Sequence, residues 1–479
     1  MHNLWQVVFI VLFGYLLGAR ALKNNGSVSD DKATLDKKFD KPKSKLMELF
    51  HIIRGNKYYP EQGRLPLFIT ETMHILNAVL VYFAFGASTI SFMAAIMFMA
   101  NPFGSQIFIW KSGKPYSTAM IGVLLMFICP WAGGLFWCFS LWGSAGAIFS
   151  WIPFVLLYPW WWLLSFIPLG FFAIRHVSNE WSSHKYLFKK EVIKIRPRKL
   201  ITAVKTFGYY FRQGIMPCHL GWDTNFLLGW GHRKDLTKKA FSLNIEFWWG
   251  IVVLAIVGTG IVYYWGGMVS FCLIWWFSNI MIWTVTGAGR AVERYHYIAS
   301  AGLMMAIATF LSLISPIAFW AGTTFLIGCY AMKLYVYTQQ YATQWWQLQF
   351  LCIEQPTCTS GWIRIGCDAI KMKNLQMGLS YLKEAERVNG GLDFVIAYNL
   401  SNCFLAIGDL VQAKVHFEIS KSMKDERTDA DYSSQIKFFE ELYAKAEKDM
   451  KENGVADIAN LQLLTINVFL AMLVLTYTI

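Results

Sequence analysis

The sequence predicts an all-α polytopic membrane protein: a bundle of about eleven spans, a short helical repeat domain and a C-terminal transmembrane anchor. Three observations carry this. Hydrophobic residues make up 56% of the 479 residues and charged ones 15%, against roughly 45–50% and about 25% in an ordinary soluble chain. The excess is aromatic, with 22 Trp, 37 Phe and 22 Tyr, residues that anchor spans at membrane interfaces. The apolar residues also gather into runs of about 20, the length of one crossing. This composition excludes disorder, a secreted disulfide scaffold and a plain cytosolic enzyme. The net charge of +13 resides in loops between apolar runs, where it sets topology and meets anionic headgroups. No basic helix or reader motif accompanies it, so nucleic acid is not an expected partner.

Taken in order, the first run covers 4–19. Ala19-Arg20-Ala21 after it imitates a cleavage site, but no basic region precedes the run, so an uncleaved anchor is expected. A polar loop follows at 20–65, rich in Lys and Asp. Further runs lie at 66–87, 89–109, 116–132, 133–151 and 153–174. Residues 175–205 carry nine Lys/Arg against two acids. A weaker run at 201–217 precedes a polar loop, and clear spans return at 244–264, 267–285, 298–316 and 318–337. The polytopic domain is thus 1–340, a water-soluble segment 341–455, and the terminal anchor 456–479.

Parity gives a check. With a cytosolic N-terminus, the basic 175–205 loop follows six crossings and is cytosolic, as the positive-inside rule prefers. The loops at 20–65, 110–115, 218–242 and 286–297, and the soluble segment, then share the non-cytosolic face.

The soluble segment repeats itself. Trp362, Ile365, Gly366, Ala369, Gly378, Leu382 and Ala385 fall at the key offsets of a tetratricopeptide helix pair. Ala397, Leu400, Ser401, Phe404, Ala413, Phe417 and Ser420 follow 35 positions later. A more charged helix at 430–450 has the character of a solvating cap. Such arrays bind partners or pack on a membrane domain.

Several constellations can carry chemistry. Asp30-Asp31 lies in the first loop; adjacent carboxylates raise each other's proton affinity, so one can act as a base. Glu71, His74 and Asn77 follow one another at spacings of three in the second run, and ionisable groups in a span face an interior cavity by default. Lys111 and Lys114 flank Gly113 at a span end, where backbone amides and ammonium groups can hold a phosphate. Arg290 and Arg294 stand four apart in GAGRAVERYHYIASAG, with Glu293, Tyr295 and His296 beside them. Two guanidiniums on one turn suit an anion, because each fork donates two parallel hydrogen bonds. Of the nine cysteines, four fall inside apolar runs, and Cys352 with Cys358 has no zinc or redox spacing. Cys218, His219, Asp223 and His232 match no zinc pattern either. No metal site is expected, and nothing in the residues supports a divalent cofactor.

These pieces stand in a familiar order. The chain resembles the transmembrane and tetratricopeptide repeat-containing O-mannosyltransferases and their bacterial relatives, within the C-type glycosyltransferase superfamily. The resemblance runs from the first span through the repeats. It rests on Asp30-Asp31-Lys32-Ala33-Thr34-Leu35, on Arg64-Leu65-Pro66-Leu67, on Asn77, and on Asn101-Pro102 with Trp110-Lys111-Ser112-Gly113-Lys114. Its most specific part is Glu293-Arg294-Tyr295-His296-Tyr297-Ile298-Ala299-Ser300-Ala301-Gly302. The family's aromatic residue before the Asp-Asp is Ser29 here, its His before Pro102 is Asn101, and its Lys-Glu is missing around Gly143–Gly146.

The resemblance implies inverting transfer of a sugar, a hexose such as mannose, from a polyprenyl-phosphate donor to a protein acceptor on the non-cytosolic face. Asp31 or Asp30 would be the base, with Asp31 slightly favoured. Arg294 would lead the donor-phosphate ligands, with Arg290 and Lys114 in support. Glu293, His296 and Tyr295 would support the site, and Glu71 is added to them from the reading of the second run rather than from the resemblance. The expected partners are the bilayer, the lipid-linked sugar, and a protein acceptor or membrane partner held by the repeats. The bacterial inner membrane is the favoured location and the endoplasmic reticulum the alternative. A competing reading is a catalytically degenerate relative that serves as a membrane scaffold through its repeats. A transporter is more distant, since no inverted repeat or paired broken helices are seen.

Overall fold

A computed structural model describes residues 4–19, 65–104, 107, 114–158, 197–217, 243–285, 293–338, 344–354, 356, 359–423 and 429–453. Among the described residues every regular element is helical. The chain divides into two compact units, Met1–Gln344 and Trp345–Ile479.

The first unit contains α1 (Leu4–Gly18), α2 (Leu65–Ala84), α3 (Thr89–Ala100), α4 (Lys114–Ile128), α5 (Gly133–Gly143) and α6 (Trp151–Leu157). It continues with α7 (Pro197–Ile215), α8 (Ile245–Tyr263), α9 (Met268–Val285), α10 (Tyr297–Ile314) and α11 (Pro316–Tyr337). Three of these, α8, α10 and α11, are long and apolar enough to cross a membrane. The finer span count divides differently from the sequence expectation. The helix that begins the expected run at 89–109, α3, ends at Ala100, and the run at 133–151 breaks at Ser144 into α5 and a 3-10 segment, Ala145–Ser150. The anchor at 456–479 and the basic loop up to residue 196 lie outside the described residues.

Helix α10 is the centre of this unit: it packs on α9, α3, α11 and α4, and most of its residues are buried. Ten of the twelve residues of α3 are buried as well. Helix α8 is the opposite case. Only Gly250, Val253 and Val257 of it are buried, while Trp248, Trp249, Ile256, Val262 and Tyr263 are exposed. An apolar helix with one narrow buried stripe suits lipid on its remaining faces, and Trp248 and Trp265 bracket it about 25 Å apart by helical rise. That spacing places rings near both interfaces of a bilayer.

Helices approach closely where glycine removes the side chain. A methyl on Gly208 of α7 would lie 2.8 Å from the Gly250 Cα of α8, so these two backbones cross in contact. Helices α1 and α2 run antiparallel: Tyr82 donates to Gln6, Gly14 faces Ile75, and Gly18 faces Glu71. Gly14 and Gly18 form a Gly-x-x-x-Gly face, the spacing that lets membrane helices pack by backbone contact.

The second unit holds α12 (Gln344–Glu354), α13 (Thr359–Lys371), α14 (Leu375–Asn389), α15 (Phe394–Ile407), α16 (Leu410–Ser422) and α17 (Asp429–Asn453). Helices pair as α13 with α14 and α15 with α16. Asn374, Asp393 and Asp409 cap the second to fourth of these four, each accepting a backbone N–H of the first turn. Left-handed Gly390 and Gly408 end α14 and α15. Gly366 and Gly378 bring the first pair together: a methyl on Gly378 would lie 2.5 Å from Ile370 Cγ1 and 3.1 Å from the Gly366 carbonyl. Of the fourteen residues at repeat offsets, all but half-buried Trp362 are buried. Phe439 of α17 closes the apolar core, stacked on Phe417 at 4.1 Å between ring centroids.

Candidate functional site at one end of the helical bundle

Polar residues recur along α2 every three or four positions. Thr70, Glu71, His74 and Asn77 occupy one stripe, and all are at most 3% exposed. A helix that turns carboxyl, imidazole and amide groups inward must supply them with partners from its neighbours, because each unpaired buried group costs free energy.

For His74 and the amide hydrogens of Asn77 the neighbours do so, while Asn77 Oδ1 stays without a partner. The Met99 carbonyl at the end of α3 can only accept, so His74 Nε2–H donates to it at 3.2 Å. His74 Nδ1 is then an acceptor and takes the Tyr297 hydroxyl proton at 2.8 Å. Asn77 Nδ2 donates both to the Tyr297 hydroxyl oxygen and to the Ser117 carbonyl of α4, at 3.1 Å each. Helices α2, α3, α4 and α10 are therefore joined by one directed chain of hydrogen bonds around Tyr297.

Glu71 lies outside that chain. Both carboxyl oxygens are buried and neither has a hydrogen-bond partner. Its carboxyl rests on Gly18 of α1, so closely that a methyl there would overlap it. Lys114, the first residue of α4, is also fully buried.

The turn before α10 is a 3-10 segment, Glu293–His296. The Trp276 indole, which can only donate, gives its N–H to His296 Nε2 at 2.9 Å. The His296 proton is thus on Nδ1, which is buried without a partner. Tyr210 stacks on this ring at 5.9 Å and Phe103 packs on it at 5.0 Å. Tyr295 is half-buried against Tyr116, 6.2 Å between centroids. The end of α7 is held by side chains from elsewhere: Asn101 Nδ2 donates to the Gly214 carbonyl at 2.8 Å and Tyr330 to the Ile215 carbonyl at 2.8 Å. These are carbonyls that a helix terminus leaves open.

The ends of α1, α3 and α7 and the beginnings of α2, α4 and α10 thus meet at one end of the bundle. Of the residues singled out in the sequence, Glu71, Lys114, Tyr295 and His296 belong to this end. Glu293 and Arg294 are in its 3-10 turn by backbone. Asp30, Asp31 and Arg290 lie outside the described residues, as do Lys111 and Gly113. Sequence reasoning missed Gly14 and Gly18, for which the Gly-x-x-x-Gly spacing was the available signal. It also missed Trp276, for which there was none. Among the described residues no group of three or more His, Cys, Asp or Glu side chains is placed to hold a metal ion. Asn399-Leu400-Ser401 has the form of an N-glycosylation sequon, but Asn399 is 3% exposed and its amide donates to the Val395 carbonyl at 2.7 Å.

Comparison of the chain with protein families, with curated proteins and with solved structures returned no match.

Proposed function

We propose that this protein is an inverting glycosyltransferase that moves a hexose, such as mannose, from a polyprenyl phosphate to a protein acceptor on the non-cytosolic face of a bacterial inner membrane. The observation that carries the reading is the meeting of helix ends described above. The segments bearing Asp30-Asp31, Lys111-Lys114 and Arg290-Arg294 are all attached at that one end. In this reading Asp31, with Asp30 beside it, takes the proton of the acceptor hydroxyl as the sugar carbon is attacked. Arg294, Arg290 and Lys114 stabilise the departing lipid phosphate. The paired helices of the second unit, with small residues at the crossing of α13 and α14, support a tetratricopeptide array that recruits the acceptor.

A second reading, a degenerate relative that acts as a membrane scaffold, is favoured by one residue. Asn101 stands where the resembled family has His, and its side chain is engaged in structure: it donates to Gly214 and accepts from the Phe103 N–H at 2.9 Å.

The test is transfer of labelled mannose from polyprenyl-phosphate mannose to envelope proteins by the full chain in lipid vesicles. Wild-type protein is expected to transfer, and Asp31→Asn to abolish transfer at unchanged expression and donor binding. Absence of transfer by wild-type protein, with an unchanged glycoproteome in a host lacking it, favours the scaffold. Transfer that persists in both Asp31→Asn and Asp30→Asn removes the aspartates from the mechanism.

A further inference from the structure

Glu71 makes no contribution to the hydrogen bonding around it, and the directed chain beside it explains why. The donors of that chain are all committed. The Tyr297 hydroxyl gives its proton to His74, His74 gives its own to Met99, and both Asn77 amide hydrogens go to Tyr297 and Ser117. Among the described residues, the titratable or charged groups carried by the helices packed against α2 are few. They are Tyr15 of α1 and Lys114 and Tyr116 of α4; Tyr297 reaches α2 from α10, and α3 has none. None of these donates to Glu71. Tyr15 is bonded to Thr72.

Gly18 supplies a second and independent observation. The carboxyl is seated against the Gly18 backbone, in a cradle that any other residue would fill. Gly14, one turn earlier, brings the same face of α1 down on Ile75 and Met99. The close approach of α1 therefore covers the carboxyl with apolar and backbone atoms. An ionised carboxylate with neither a donor nor a cation in such a place is strongly disfavoured relative to the neutral acid. A metal ion is a poor alternative occupant, since hard cations need several oxygen ligands and no group of three or more His, Cys, Asp or Glu side chains converges here among the described residues.

We propose that Glu71 is an intramembrane proton-binding site: a carboxylic acid kept neutral between α1 and α2, which gives up its proton only when α1 lifts off it. The exchange is a carboxylic acid going to carboxylate plus a proton released at the end of the bundle where α1 ends and α2 begins. The proposal stands apart from the transferase reading and needs no donor or acceptor substrate.

Carbodiimides test it directly, because the undissociated acid adds across the N=C bond and rearranges to a stable N-acylurea without loss of any atom. The full chain in lipid vesicles is treated with dicyclohexylcarbodiimide, or with a water-soluble carbodiimide, between pH 6 and pH 9, and the adduct is located by peptide mass spectrometry. The expected result is an adduct on Glu71 from the hydrophobic reagent alone, absent in Glu71→Gln. Its yield should fall about tenfold per pH unit above the midpoint of the titration. Gly18→Leu, which forces α1 away, should shift the labelling toward the water-soluble reagent. No adduct at Glu71, or equal labelling by both reagents in wild-type protein, overturns the proposal.

Discussion

The carboxyl of Glu71 lies directly on the Gly18 backbone, so that α1 and α2 touch through an acid on one side and the absence of a side chain on the other. This contact makes α1 part of the site end of the bundle. It also makes the α1 sequence answerable to a residue more than fifty positions away.

Gly18→Ala should weaken the first unit, since the new methyl overlaps the buried Glu71 carboxyl, which must be pushed out of its place to admit it. Overpacking of this kind costs about 1–3 kcal/mol. The double variant Gly18→Ala/Glu71→Ala should recover much of that loss, because the overlapping atoms are gone. Thermal unfolding of the four proteins of this cycle in one detergent measures the coupling; additive losses would mean that the two residues do not meet.

Tyr297→Phe should remove the hub of the polar chain and leave His74 Nδ1 and one Asn77 amide hydrogen without partners. The expected cost is about 1–3 kcal/mol. A subsequent Asn77→Leu change should cost less in the Tyr297→Phe background than in wild type, since one of its bonds is already lost. Denaturant or thermal unfolding of the pair checks this.

Acid should loosen the second unit through His416. Burial holds its imidazole below the ordinary value, with Glu386 opposing and Lys383 adding a smaller share. The folded state therefore binds its proton at lower pH than the unfolded chain, and the unfolded state carries more protons in between. Stability from this group is present above the ordinary histidine range near 6.5 and is lost as pH falls through it. His416→Gln should flatten the pH dependence of unfolding between pH 7 and pH 5. An unchanged slope would assign the acid sensitivity to other groups.

Much of the architecture was legible because it depends on local pattern. Apolar runs with polar breaks marked α8, α10 and α11, and small residues at fixed offsets marked the pairs in the second unit. Inward-facing Glu71, His74 and Asn77 were legible for the same reason: a spacing of three to four places side chains on one helical face. The break at Ser144 was not, since residues 133–151 stay apolar throughout and a break in backbone geometry leaves no mark on hydropathy.

What the sequence by itself determined about this protein is its solvent, its helical class and the face of each helix that carries polar groups, because all three follow from residues within a few turns of one another. Only the tertiary structure decided how those polar groups are used. Whether a buried His, Asn or Glu finds a partner depends on residues such as Met99, Tyr297 and Gly18 arriving from distant segments. Hydrogen bonds are directional and short, so a shift of one helix by a single turn would break the bonds that join His74 and Asn77 to Met99, Tyr297 and Ser117.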